Sequence, residues 1–375
     1  MTTTIGEQRT IQPGLAGVTA FTTDIAEPDR DGGALRYRGV DVDELVDHRV
    51  EFGAVWSLLV DGQFGEPLPM AAHLELPTTT RDTCADVQSA LAALSGLWNL
   101  RPLLDIDDQT ARDQLSRISA MTLSFVAQSA RGPFLSAVPQ AAIDACPTAA
   151  AQFMTRWRGE PDPRHVAAID AYWVSAAEHG MNASTFTARV IASTGADTAA
   201  AMSGAVGAMS GPLHGGAPAR VLPMVREVER TGDPASVVRA ILDSGDRLMG
   251  FGHRVYRAED PRARILRSTA ARLRAPRYEA AVALEKAALQ ELRERRPDHP
   301  IETNVEFWAA VVLDFADIPS QLMPAMFTCA RTAGWSAHIL EQKRLAKLVR
   351  PAALYTGPET RSPADVVGWE SVIAR

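Results

Sequence analysis

Residues 250–262 read Gly-Phe-Gly-His-Arg-Val-Tyr-Arg-Ala-Glu-Asp-Pro-Arg. Gly250 and Gly252 flank Phe251 and permit a turn that delivers one histidine, His253. Arg254, Arg257 and Arg262 follow. Asp260-Pro261 reads as a helix start, because Asp caps and Pro suits the first helical position. A histidine therefore stands just upstream of a helix N-terminus, where orphan N–H groups and the dipole favour anions. On these residues alone, a capped turn with a solvated charge cluster accounts for the pattern as well as an anion site does.

On either side the chain reads helical. Downstream, helices are expected over Pro261–Arg272 and Arg277–Arg295, then from about Asn304 and from Ser320, with a loop-rich arm from Pro351. Ala281, Leu284, Ala288 and Leu292 give the second of these an apolar face. Upstream, helices are expected over Ala235–Asp243, Ala219 to about Arg230, Thr198–Ser210, and His165–Ala177, which breaks at Gly180 and resumes from Ala183. Earlier ones cover Ala111–Ser129, Ala85–Leu100 and Trp56–Leu59, and Pro67–Thr80 is a loop. The Thr198–Ser210 helix is built from Ala199, Ala200, Ser203, Gly204, Gly207 and Ala208. Such small residues suit close packing, either in the core or against a second copy of the chain. Only Gly14–Val40 reads as β. Val18 and Ala20 alternate with polar positions, as do Leu35 and Tyr37, with Asp31-Gly32-Gly33 as the turn. Asp41 then caps a helix carrying Val42, Leu45 and Val46.

With 375 residues and 46% hydrophobic content, the chain has enough material for a two-domain globular core. It has no run of about 18 apolar residues to span a membrane, and MTTTIGEQRTIQPG lacks the apolar core of a signal peptide. Cys84, Cys146 and Cys329 are three scattered cysteines, which suits a reducing cytoplasm and no disulfide or zinc framework. A net charge of −7 argues against general affinity for nucleic acid or anionic membrane. An anionic substrate would have to be held by a local arginine cluster.

Three of the eight histidines, His179, His214 and His253, sit beside glycines. His48, His73, His165, His299 and His338 do not, and are read as surface or packing residues. The spacing of the three matches no local metal-ligand motif. Gly250–Arg262 with Asp260-Pro261-Arg262, Glu178-His179-Gly180-Met181-Asn182-Ala183-Ser184-Thr185, Gly211-Pro212-Leu213-His214-Gly215-Gly216 and Asn304-Val305-Glu306-Phe307 occur in the order seen in the citrate synthase family. The chain resembles that family from about Gly14 to Tyr355, and most resembles its short bacterial dimeric members.

The resemblance implies an all-α, two-domain fold with a small β element near the N-terminus. It places residues 1–216 and 321–375 in a large helical domain and 217–320 in an inserted small one. It implies condensation of acetyl-CoA with oxaloacetate, then hydrolysis of citryl-CoA to citrate and CoA, with no metal and no redox cofactor. His214 would stabilise the enol of acetyl-CoA, His253 would bond the ketone oxygen of oxaloacetate, and His179 would help bind oxaloacetate. Preorganised donors suit oxygens on which charge develops in the transition state. Oxaloacetate is a dianion, which calls for guanidinium forks. The family's arginines map onto Arg262, onto Arg331 in Cys329-Ala330-Arg331-Thr332-Ala333-Gly334-Trp335, and onto Arg350, which would reach the partner's site in a homodimer. Arg257 maps onto a position that contacts CoA phosphates.

Glu306 departs from the family, which usually carries Asp after Asn-Val. The resemblance makes it the general base. Local sequence offers another role, since Thr303-x-x-Glu306 is also the pattern of a capping box. Propionyl-CoA in place of acetyl-CoA, giving 2-methylcitrate, fits the same motifs. A weakened binder of CoA or oxaloacetate, with Glu306 as its lesion, is the alternative from another class. Citryl-CoA cleavage coupled to a nucleotide is disfavoured, because the chain has no Gly-x-x-x-x-Gly-Lys loop.

Overall fold

A computed structural model describes residues 12–15, 17–29, 31, 33–212, 214–215, 220–252, 256, 259–298 and 301–373. His253, Arg257 and His299 lie outside the described residues.

Among the described residues the regular structure is helical apart from an isolated bridge and one small antiparallel sheet of order β1-β2-β3, comprising Ala26–Asp29, Ala34–Tyr37 and Val40–Asp41. Ala26 pairs with Tyr37 and Asp29 with Ala34. Leu35 and Tyr37 point into the core as the alternation predicts. The first strand is not the one expected. Val18 and Ala20 lie on exposed chain without regular structure, and Ala26-Glu27-Pro28-Asp29 forms the edge instead. Proline is tolerated there because an edge strand has no need of every N–H.

Asp41 caps α1 (Val42–Asp47) by accepting from Asp43 N. α2 (Phe52–Asp61), α3 (Thr83–Leu97), α4 (Asp108–Arg131), α5 (Gln140–Asp144) and α6 (Ala149–Arg158) follow. The last two were not expected from sequence. α7 (Pro163–Ala176) and α8 (Ala183–Ser193) are the broken pair anticipated around Gly180, with N-caps Asp162 and Asn182. α9 (Thr198–Met209) is the small-residue helix. α10 (Leu222–Thr231), α11 (Pro234–Asp243), α12 (Pro261–Arg272) and α13 (Tyr278–Arg295) lead to α14 (Val305–Phe315) and α15 (Met323–Leu345).

α15 is the axis of the fold. Every residue from Thr328 to Leu340 is buried, as expected for a helix surrounded on all sides. It packs on α2, α4, α7, α8 and α9. α7 also bears on α12 and α14, and α10, α11 and α13 pack together. The small residues of α9 serve packing within the chain at two positions. A Cβ on Gly204 would strike Ile191 of α8, and one on Gly207 would meet Gln88 of α3. The tail ends in a short helix, α16 (Trp369–Ile373), and its apolar side chains Leu354, Tyr355 and Val367 stay exposed.

Candidate active site

The Gly-Phe-Gly turn is tied to the start of α14. Phe251 and Thr303 form an antiparallel bridge. Gly252 N donates to Glu302 O at 2.8 Å, Asn304 N to Gly250 O at 3.0 Å, and Asn304 Nδ2 to Gly252 O at 2.9 Å. Gly250 has φ +88°, and a Cβ there would press on Phe307. The loop that leads into His253 thus leans on the helix that carries Glu306, and glycine lets it come that close.

Asp260 joins two helix N-termini. It caps α12 by accepting from Arg262 N at 3.0 Å and accepts from Val305 N, at the start of α14, at 3.1 Å. The same carboxylate takes Arg262 Nε at 3.0 Å and Nη2 at 2.8 Å. Arg262 and Asp260 are both buried, and a fork of this kind holds the guanidinium in one plane.

Glu306 sits one residue inside α14. The capping-box alternative does not hold, because the N-cap is Asn304, whose Oδ1 accepts from Glu306 N at 3.0 Å. Thr303 Oγ1 is buried and has no hydrogen-bond partner among the described residues. The Glu306 carboxyl is pushed up to about 7, chiefly by burial. The charge of Arg262 pulls it down and that of Asp260 pushes it up.

His214 follows α9 on a turn closed by His214 N to Gly211 O at 2.9 Å. Its Nε2 lies 2.9 Å from Ser184 Oγ. Burial, and then the charge of Arg331, lower the imidazole to about 4, so it is neutral at pH 7. Ser184 is the hub here. It accepts from Trp335 Nε1 at 3.1 Å, and its single proton has two takers, Asn182 Oδ1 at 2.8 Å and His214 Nε2 at 2.9 Å. When that proton points at His214, the imidazole's own proton resides on Nδ1.

His179 meets Tyr256 Oη at 3.0 Å through Nε2, with the rings edge-on. Arg331 is buried. Its Nε donates to Ala176 O at 3.0 Å, and its Nη1 has no hydrogen-bond partner among the described residues. Its guanidinium lies over the Phe327 ring at 4.7 Å, and that ring also meets His214 at 6.1 Å. Phe327 therefore contacts both the imidazole and the guanidinium.

Of the residues expected from sequence, His179, His214 and Arg331 are joined through Ser184, Phe327 and the end of α7. Arg262 and Glu306 are joined through Asp260. The charges of Arg262 and Arg331 bear on each other, which links the two groups. Arg350 is not brought to this pocket. It is exposed beyond α15, next to Val349, whose N–H bonds Ser193 Oγ at 3.0 Å at the C-terminal end of α8. Asn182 and Ser184 lie at the other end of α8, about 15 Å away along the helix. His253 and Arg257 lie outside the described residues. Sequence reasoning missed Ser184, Tyr256, Phe327 and Trp335. Trp335 could have been found, since it lies one helical turn after Arg331 on the same face. His338 was expected to be a surface or packing residue; it is buried within a polar cluster.

A family profile for the C-terminal domain of citrate synthase matches residues 14–352. A protein of Mycobacterium tuberculosis named "Putative citrate synthase 2" is 73% identical over 361 residues, spanning 96% of this chain and 97% of its own. A 2-methylcitrate synthase of Shewanella oneidensis is 29% identical over 370 residues, 93% of this chain and 95% of its own. Among solved structures, citrate synthase of Thermoplasma acidophilum, in ternary complex with carboxymethyl coenzyme A and oxaloacetate, superposes with a TM-score of 0.80 at 24% identity, covering 94% of this chain and 98% of that one. The helical fold and the matched length place this chain in the citrate synthase family. It is an acyltransferase of that type.

Proposed function

We propose that the protein condenses acetyl-CoA with oxaloacetate to citryl-CoA and hydrolyses it to citrate and CoA. The observation that carries this reading is Glu306, a carboxyl raised to about 7, with a guanidinium near enough for its charge to act on it. Removing a methyl proton beside a thioester needs a base whose pKa lies close to working pH. Glu306 takes that proton, and His214 donates to the thioester oxygen as it gains charge. The resulting carbon nucleophile attacks the ketone carbon of oxaloacetate. His253 donates to the ketone oxygen, a role that rests on the family motif. His179, Arg262 and Arg331 hold the oxo acid, and Arg257 meets the CoA phosphates. CoA thioester is substrate, and the reaction as proposed calls for no metal and no redox cofactor. The Thermoplasma complex supports this substrate pair.

A second reading, 2-methylcitrate synthesis from propionyl-CoA, is favoured by the Shewanella relative. Thiol release decides between them. With oxaloacetate present, acetyl-CoA is expected to give the higher kcat/KM by about 10-fold or more, since one methyl in a pocket is worth roughly 1–3 kcal/mol. The reverse order makes the protein a 2-methylcitrate synthase. No release with either, despite ligand binding, makes it a binder.

We further propose a cytoplasmic homodimer in which Arg350 completes the partner's site, with 217–320 as the smaller lobe over each pocket. Arg350 lies away from its own chain's pocket, on the segment that leads into an arm with exposed apolar side chains. Among the described residues no helix is long and apolar enough to cross a membrane. Arg350→Ala and His214→Ala should each be severely impaired alone, yet mixing them and allowing subunits to exchange should restore part of the activity. Some mixed dimers then contain one site that carries neither change. No recovery after confirmed exchange counts against a shared site.

A further inference from the structure

Behind Arg331 lies a polar cluster that the proposed reaction does not use. Three successive residues at the end of α7 meet one face of α15. Ala176 O accepts from Arg331 Nε at 3.0 Å, Ala177 O accepts from Gly334 N at 3.2 Å, and Glu178 Oε1 lies 3.2 Å from His338 Nε2. The approach is close enough that a Cβ on Gly334 would collide with Ala177 O and Glu178 Oε2. His338 Nδ1 lies 3.0 Å from Arg189 Nη1, and Arg189 bonds Glu341 and, through Nε, Gln342 Oε1 at 3.0 Å. Glu178, His338 and Arg189 are all buried.

The donors and acceptors place the proton. A guanidinium only donates, so His338 Nδ1 accepts. The imidazole proton is then on Nε2, where it donates to Glu178. Arg189 thus sets the tautomer of His338, as a second partner does for other functional imidazoles. The arrangement leaves two buried atoms of opposite charge without a hydrogen-bond partner among the described residues, Glu178 Oε2 and Arg331 Nη1. Glu178 is also the charge that acts most strongly on Arg331.

We propose that His338 is a positioning residue for Arg331: by engaging Glu178 it keeps that carboxylate from pairing with Arg331 and leaves Nη1 for a carboxylate of the oxo-acid substrate. Without the His338 donor, Glu178 turns to Arg331 and competes with the incoming dianion. The inference rests on the assignment of Arg331 to oxaloacetate.

The test titrates oxaloacetate binding to the full-length protein by tryptophan fluorescence, alongside steady-state kinetics. His338→Leu should raise the Kd and KM for oxaloacetate about tenfold or more, the scale of one lost charge-assisted hydrogen bond, with KM for the acyl-CoA within about twofold. His338→Gln, which offers an oxygen to Arg189 and an N–H to Glu178, should restore most of the affinity. His338→Leu combined with Glu178→Gln should also recover, because the competing charge is gone. If His338→Leu does not fold, His338→Asn, polar but too short to reach both partners, carries the same expectation. Unchanged oxaloacetate affinity in folded His338→Leu or His338→Asn, or a double variant no better than the single, overturns the inference while leaving the proposed function intact. Wild type that does not bind oxaloacetate overturns both.

Discussion

Glu306→Gln is expected to abolish exchange of the acetyl-CoA methyl protons in deuterated water, measured with an unreactive oxaloacetate analogue, and to lower turnover by about 10²–10⁴. Both ligands should still bind, because Gln keeps the shape and loses only the basicity. The structure sharpens this test by removing the competing role. Asn304 caps α14 and Thr303 does not, so Glu306 closes no capping box. A loss of about 1 kcal/mol in stability with exchange intact would be the signature of a cap, and would send the search for the base elsewhere. The pH dependence follows with a definite sign. Only the ionised carboxylate accepts a proton, and burial raises Glu306 to about 7. Turnover should therefore fall as pH drops through about 7, well above the ordinary carboxylate range. Glu306→Asp asks whether the backbone is matched to the longer side chain. A match predicts a loss, since a displacement of about 1 Å can cost 10²-fold; a gain would mean that glutamate is itself the lesion.

What could be read from the sequence was what local chemistry determines. Asp260 before Pro261 and Asp41 before Val42 are short-range capping patterns, and each forms as expected. The helix break at Gly180 is likewise local, with φ +62°. The misses have physical causes. Ala26–Asp29 carries a proline and two acids, so its propensity for strand is poor, and pairing with β2 alone makes it a strand. His338 looked like a packing residue because its partners are 160 and 149 positions away in sequence, at Glu178 and Arg189. No periodicity within α15 reports them. The dual role of Asp260 was hidden for the same reason, since Val305 lies 45 residues downstream. The glycines of α9 were legible as close-approach positions, but the neighbours at two of them, Ile191 and Gln88, are set by the tertiary fold.

His214→Ala is expected to reduce turnover by about 10²–10³, the usual consequence of removing one preorganised donor to a developing oxyanion. The argument starts from protonation. An imidazolium would be costly beside Arg331 at this half-buried position, and the imidazole is accordingly held down to about 4. In the proposed reaction His214 is therefore a neutral donor, and a neutral imidazole has one N–H to give. Ser184 decides which nitrogen carries it. When the hydroxyl proton points at Nε2, across 2.9 Å, and not at Asn182 Oδ1, Nδ1 carries the hydrogen that the proposed reaction directs at the thioester oxygen. Trp335 Nε1, which donates to the same hydroxyl at 3.1 Å, holds Ser184 in place. The loss in His214→Ala should fall on kcat, with KM for oxaloacetate little changed, because the interaction strengthens only as charge develops. His214→Asn retains a donor and should recover part of the rate. Circular dichroism should show the fold intact, since His214 lies on a turn and not within a helix. Near-normal turnover in folded His214→Ala would remove this residue from the chemistry and leave oxyanion stabilisation to groups not yet assigned.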